Sequence, residues 1–235
     1  MKKFFLKLSV IALLISLLTA CQNSKGWVYR SNDYDGQNLQ KGFSLKSKKL
    51  KVLPLQDRRS NENKNMLMLY MVPFMPFGWQ EFDSPESVQM HINSGLWLNY
   101  NPKEDYSKAI VEDLRSADLF KDVEFSYSKS GSDYHINGQL ISTDYEGKII
   151  TYGLSVYGPL LWYIGFPASQ VSNDLSIKLS LVNTKNKEVV YSKTYNASRY
   201  KKLGWIYNLP SDFNYSEMLR EINREFVEDI ARKFR

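Results

Sequence analysis

With 235 residues, 43% of them hydrophobic and 24% charged, the chain has the makeup of a folded globular protein rather than a disordered one, and enough length for one good core. The formal charge of +6 includes Lys2, Lys3 and Lys7 in a segment expected to be removed, which leaves a mildly basic +3 that does not argue for nucleic acid. The single cysteine excludes a disulfide within one chain.

The chain opens as a processing signal. The three lysines precede an apolar run, Leu8 to Leu18, that is too short for an ordinary membrane span. The run ends in Leu18-Thr19-Ala20-Cys21, the pattern of a bacterial lipobox: an aliphatic residue, two small residues, then the cysteine whose thiolate takes a diacylglyceryl thioether. Residues 1–20 are thus expected to be cleaved, and Cys21 to carry covalent diacylglycerol and an N-acyl chain. No other cofactor and no metal is expected. Gln22 follows, not the aspartate that marks retention at an inner membrane. The expected address is the bacterial envelope, at the outer membrane and facing the periplasm.

Residues 21–47 read as the acylated N-terminus and a tether, rich in Asn, Ser, Lys, Gln and Gly without a hydrophobic period; whether Trp27, Tyr29 and Tyr34 dock onto the domain is left open by the sequence. A single α/β domain is expected over 48–235. Leu50, Val52, Leu53 and Leu55 make a short buried strand ended by Gln56-Asp57-Arg58-Arg59. Ser60 to Tyr100 shows no clear period and contains "MLMLYMVPFMPFGW", residues 66–79, where Pro73 and Pro76 oppose a regular helix and a central strand. Asn101 and Pro102 open a helix whose stripe is Tyr106, Ala109, Ile110, Leu114 and Ala117. The segments "LFKDVEFSYS", "DYHINGQLIS" and "KIITYGLSVY" read as strands, the last two joined by a tight turn at Glu146-Gly147. Leu175, Ile177, Leu179 and Leu181 alternate with polar residues, and "EVVYSKTYNA" returns antiparallel to them after "NTKNK". Asn214 and Glu217 have capping-box spacing before a helix with Leu219, Ile222, Phe226, Ile230 and Phe234 on one face. The fold class is therefore α+β (α/β), a mixed β-sheet of about six strands with two main helices packed on one face.

The pieces "KVLPLQDRRS", "AIVEDLRSADLFKDVEF", "DYHINGQLIS" and "LSIKLSLVNTKNKEVVYSKTY", in this order, resemble small envelope lipoproteins with a domain similar to the TolB amino-terminal domain. CsgG-type secretion lipoproteins and auxiliary lipoproteins of ABC transporters are relatives of that fold. The resemblance runs from Lys48 to the end and implies a non-enzymatic part of an envelope transport, secretion or assembly machine. The chain departs from the pattern by its apolar insertions at 66–79 and 158–167. No CsgG-type pair of membrane strands stands out in it.

Catalytic constellations do not show. His91 and His135 have no second histidine or cysteine near them, and no nucleophile elbow or phosphate-cradling loop is present. Arg58 and Arg59 stand at a strand end, where open sheets take ligands, and are candidates for an anion contact; pairing with a nearby acid is the favoured reading, because charges at strand ends are usually structural or solvated.

The uncharged run Ile149 to Asn173 holds "GPLLWYIGFP", broken too often by glycine and proline for a spanning helix. A strand and a loop, with one helical turn near Leu160–Ile164, fits better. Counting strand directions places it at the same end of the domain as 66–79. Phe74, Phe77, Trp79, Leu160, Leu161, Trp162, Ile164 and Phe166 are then candidates for contact with a partner or a membrane. Three readings stand: a private mini-core, a surface for a protein partner or for self-association, or a dip into lipid. No nucleic acid and no small-molecule substrate is expected. The function read from the chain is an accessory or assembly component of an envelope complex. The alternatives are a secretion-pore subunit and a periplasmic enzyme.

Overall fold

The clean alternation at 175–181 is the middle of a much longer strand. In the computed structural model, which describes residues 27–83, 89–97 and 100–235, the elements in chain order are α1 (Gly36–Gln40), β1 (Lys49–Val52), β2 (Gln56–Asp57), β3 (Asn63–Met66), β4 (Phe77–Phe82), β5 (Gln89–His91), β6 (Gly95–Trp97), α2 (Pro102–Ser116), β7 (Asp122–Phe125), β8 (Tyr134–Ser142), β9 (Tyr145–Ile150), α3 (Pro159–Tyr163), β10 (Ser169–Asn183), β11 (Val189–Gly204) and α4 (Tyr215–Lys233). The signal segment and Cys21 lie outside the described residues.

Nine of these strands form one mixed sheet, in the order β3-β4-β9-β10-β8-β1-β7, with β11 also paired to β10 and β2 to β8. The expected count of about six misses β2, β3 and β4. The reason is visible in β4: its two buried positions are Gly78 and Gln80, while Phe77 and Trp79 are only half-buried, so the usual binary pattern is inverted. Gly78 is required there. A Cβ on it would stand 2.7 Å from the Leu67 carbonyl carbon and 2.8 Å from the Tyr70 nitrogen.

The expected turn at Glu146-Gly147 does not exist. Strand β10 is antiparallel to β9 over Ser169–Asn173 and to β8 over Ser176–Asn183, so β8 and β9 run the same way, end to end, along one partner. Gly147 pairs with Val171 inside β9, where a Cβ would meet Ile92 Cδ1 at 2.7 Å. This glycine answers a close approach, not a turn. Only Lys148–Ile150 of "KIITYGLSVY" is strand; the chain then turns through Tyr152-Gly153 into a 3-10 turn at Ser155–Tyr157.

Helices α2 and α4 cover one face, as expected. Tyr106, Ala109, Ile110 and Leu114 from α2 and Leu219, Ile222, Phe226 and Ile230 from α4 are buried with Leu50, Val52, Ile136, Leu140 and the apolar stripe of β10 in one cluster. Each fully buried Leu, Ile or Phe contributes roughly 1.5–3 kcal/mol. The helix starts are held differently from expectation. The Asn101 N–H donates to Asp105 Oδ2 at 2.8 Å, and its own side chain makes no cap bond. Asn214 does not form a capping box; its amide donates to Asn173 Oδ1 (2.8 Å) and the Ser211 carbonyl (3.0 Å), tying the helix start to β10.

The structure answers the question left open at the tether. Residues 27–47 are docked on the helices. Phe43 and Leu45 are in the core, and Trp27 lies against Tyr106 (5.2 Å between ring centroids), Tyr100 (5.8 Å) and Phe213 (6.4 Å). The lock is Asp113 of α2, which is fully buried. It accepts from the Asn32 N–H (2.8 Å), the Asn32 amide (3.1 Å), the Tyr34 hydroxyl (3.2 Å), the Asn223 amide of α4 (2.7 Å) and the Tyr29 hydroxyl. Burial first, and Asp113 next, raises both tyrosine hydroxyls far above their ordinary range, which keeps them as donors.

Candidate functional site: an apolar tip

Three uncharged loops meet at the end of the sheet where β9 stops. The first is 67–76, between β3 and β4. The second is 151–168, between β9 and β10. The third is 205–209, after β11. Gly204 at the end of β11 pairs with Ser169 at the start of β10, which brings the third loop to the other two.

Backbone and side-chain hydrogen bonds tie the loops to one another and to the sheet. The Phe74 N–H donates to the Gly153 carbonyl (2.9 Å), and the Thr151 and Tyr152 N–H groups both donate to the Pro76 carbonyl (2.8 and 2.9 Å). The Ser155 hydroxyl donates to the Met71 carbonyl. Trp162 Nε1 donates to the Ile150 carbonyl (2.7 Å), Tyr152 Oη to Pro167 (2.7 Å), and Trp205 Nε1 to Gly165 (3.1 Å). Gly158 fits only without a side chain, since a Cβ would lie 2.6 Å from Thr151 Cα. Phe74, Tyr152 and Ser155 adopt positive φ angles of 69°, 58° and 52°, strained for residues with side chains.

The insertions 66–79 and 158–167 thus share one end, though by another route than strand counting gave. "HINGQLIS" runs parallel to β1, not against it, and β9 continues in the same direction. The mini-core reading accounts for the backbone but not for the side chains. Phe74 is 92% exposed, Ile164 71%, and Leu160 and Phe166 are exposed as well. Leu161 and Trp162 are half-buried supports, and so are Phe77 and Trp79, which pack edge to face at 5.9 Å between centroids. Of the eight candidate residues, four are therefore presented to the outside and four hold them there. Tyr157 and Tyr163 are also exposed, and so is Tyr207 (77%), with Trp205 and Leu209, from the third loop. Sequence reasoning missed that loop, although its run from Leu203 to Ser211 is free of charge.

Under the tip lies an open apolar pocket of about 170 Å³, lined by Ile92, Ile149, Trp162, Ala168, Ile206 and Leu209. The strands leading to the tip carry charges. Lys148 is paired with Glu146 and lies 5.1 Å from the Phe77 ring, Lys201 is 3.5 Å from Glu146, and Lys202 is exposed.

The other candidates are drawn into the structure. Arg59 is buried and forms a two-pronged pair with Asp57 (Nε–Oδ1 3.0 Å, Nη2–Oδ2 2.7 Å), and its Nη1 donates to Thr143 Oγ1 at 2.7 Å. Its guanidinium thus braces the break between β8 and β9. That pair holds the Asp57 carboxyl below its ordinary range. Arg58 is exposed.

His91, Ser94 and Asp212 do come together, but not as a catalytic relay. The Ser94 hydroxyl donates to Asp212 Oδ1, and His91 Nδ1 donates to the Asp212 backbone carbonyl at 2.9 Å. Asp212 also accepts from the Asn93 N–H (2.7 Å), the Ser94 N–H (2.8 Å) and Tyr145 Oη (3.0 Å). All three residues are buried, and burial lowers the His91 imidazole. The cluster pins the β5–β6 hairpin to the loop before α4. His135 Nδ1 is 3.0 Å from Thr184 Oγ1. Among the described residues, no group of three or more His, Cys, Asp or Glu is arranged to hold a metal ion, and no helix is long and apolar enough to cross a membrane.

The sequence matches no protein-family model and no curated protein. Among solved structures, the chain is similar to a Xanthomonas campestris protein of family DUF330 (12% identity, 88% of this chain and 94% of that one, TM-score 0.49). It is also similar to the PelC dodecamer from Paraburkholderia phytofirmans (12%, 75% and 86%, 0.36) and to a homologue of the neuraminyllactose-binding hemagglutinin from Helicobacter pylori (9%, 83% and 89%, 0.37). None of the three bears the TolB or CsgG name, and at these values they carry no argument about activity or partners.

Proposed function

We propose that the mature chain is a bacterial envelope lipoprotein, acylated at Cys21, that acts without catalysis as an accessory or assembly component of an envelope transport or secretion complex. The observation that carries this reading is the tip: three uncharged loops keep large apolar side chains in the open at a cost in backbone strain, as a surface that meets a partner or a membrane of the envelope does. The "LTAC" motif supports the anchor. The resemblance to TolB-like and ABC-transport auxiliary lipoproteins supports the class of process. The buried, structurally engaged state of His91, Ser94, Asp212 and Arg59 weakens the enzyme alternative.

A mass measurement on protein extracted from envelopes in mild detergent tests the reading. A complex with other chains is the expected result. A closed ring of identical copies replaces it with a pore subunit, and a lone monomer with no co-purifying chain sinks it. The anchor is tested separately: Cys21→Ser should abolish incorporation of a fatty-acid probe, and labelling equal to that of the unaltered protein refutes acylation at this residue.

A further inference from the structure

The docked N-terminal segment sets where the anchor can reach. Residues 27–40 run along the helices from their N-terminal to their C-terminal ends: Trp27 lies at Tyr106 and Phe213, Asn32 at Asp113, and Gln40 Nε2 bonds Asp118 beyond the end of α2. Trp27, the first described residue, therefore lies on the side of the helices that faces the tip end of the domain. Only residues 22–26 separate Trp27 from Cys21. Six residue steps span at most about 20 Å, against the roughly 90 Å of a free 26-residue tether.

Distances along the sheet decide what that leash reaches. Phe213 packs on both Trp27 and His91, and His91 lies 4.0 Å from Tyr145, so Trp27 stands near the level at which β9 begins. From Tyr145 to Ile150, where the tip starts, the strand rises about 17 Å. In the opposite direction, the ten residue steps from Asn173 to Asn183 measure about 33 Å. The leash spans the first distance and not the second. A bilayer that holds Cys21 and meets the domain end-on can therefore do so at the tip and not at the far end.

We propose that the apolar tip inserts into the surface of the bilayer that holds Cys21, with Phe74, Leu160 and Ile164 entering the acyl region and Tyr157, Tyr163 and Tyr207 at headgroup level. The inference rests on the acylation proposed above and names what the tip touches. The chemistry matches an interface: apolar side chains exposed, aromatic residues with polar ends around them, no carboxylate in the three loops, and Lys202 exposed nearby for anionic headgroups. Loops already tied in place suit this role, because little order has to be imposed on insertion.

The test uses the full, processed lipoprotein in vesicles of phosphatidylethanolamine and phosphatidylglycerol. Phe74→Cys, Ile164→Cys and, as a far-end control, Lys185→Cys each carry an environment-sensitive fluorophore, and the intact mass reports whether Cys21 is acylated. The expected result is emission shifted to shorter wavelength and quenched by a nitroxide on the lipid acyl chain for the first two, with neither effect at Lys185→Cys. Aqueous emission at all three positions with Cys21 acylated overturns the insertion and leaves the anchor standing. Shifted emission that the lipid nitroxide does not quench also overturns it, in favour of a protein contact. Insertion without acylation upholds the tip and removes the anchor.

Discussion

At the scale of single residues, a buried carboxyl and a half-buried one give opposite lessons. Asp113 has five donors on it and joins the N-terminal segment to both helices. Removing it leaves those donors buried and unpaired, and each such group costs about 1–3 kcal/mol. Asp113→Ala should therefore lower stability by about 3 kcal/mol or more in urea unfolding. It should also open the segment before Phe43 to protease, and a variant as stable and as resistant as the unaltered protein refutes the lock. Asp144, at the break between β8 and β9, is destabilised instead. Burial first, then the nearby Asp83, Asp174, Glu81 and Glu146, push its carboxyl up to about 6. The unfolded chain titrates near 3.9. A raised acid means that the folded state prefers the protonated form, so stability declines as pH rises from about 4 through 6. Asp144→Asn should gain about 1 kcal/mol at pH 7.5, a figure kept small because the group is partly exposed to solvent screening. It should gain nothing at pH 4. Equal gains at both pH values rule out titration as the cause.

At the scale of elements, local signals sufficed where a stripe had to face one core. The spacing of Tyr106, Ile110 and Leu114, and that of Leu219, Ile222, Phe226 and Ile230, located both main helices, and the alternation at 175–181 located β10. They failed where the neighbour, not the sequence pattern, decides. Strand β4 buries Gly78 because the Leu67–Met71 turn folds back against it, and Gln80 beside Tyr145. Gly78→Ala should thus cost about 3 kcal/mol through forced displacement of that turn, read by thermal unfolding and by faster amide exchange in β3 and β4. A neutral result means that the turn moves freely. The Glu146-Gly147 pair misled for a related reason: a glycine that admits Ile92 looks, in sequence, like one that makes a turn.

At the scale of the whole molecule, the division of the tip into supports and presented side chains is measurable. Leu160→Ser and Ile164→Ser should leave the melting temperature nearly unchanged, because both side chains already stand in water. Trp162→Ser removes the bond to the Ile150 carbonyl and part of the wall of the pocket below, and should cost about 2–3 kcal/mol. Similar losses for all three would mean that the tip is a local core. The docked N-terminal segment changes the molecule most, since residues 27–47, expected to be tether, are part of the folded domain.

What the sequence determined by itself was local or periodic: the two long helices, the buried face of β10 and the uncharged runs. These depend on residue type and spacing, which physical chemistry reads without a partner. Tertiary structure alone decided the rest. It decided that β8 and β9 run end to end, that Arg59 is spent on Asp57 and Thr143, that Asp113 captures residues 29–34, and that three distant uncharged segments converge on one end. Each of these is a contact between residues far apart in the chain, and an isolated carboxylate, arginine or glycine carries no mark in sequence of the neighbour that will give it its role.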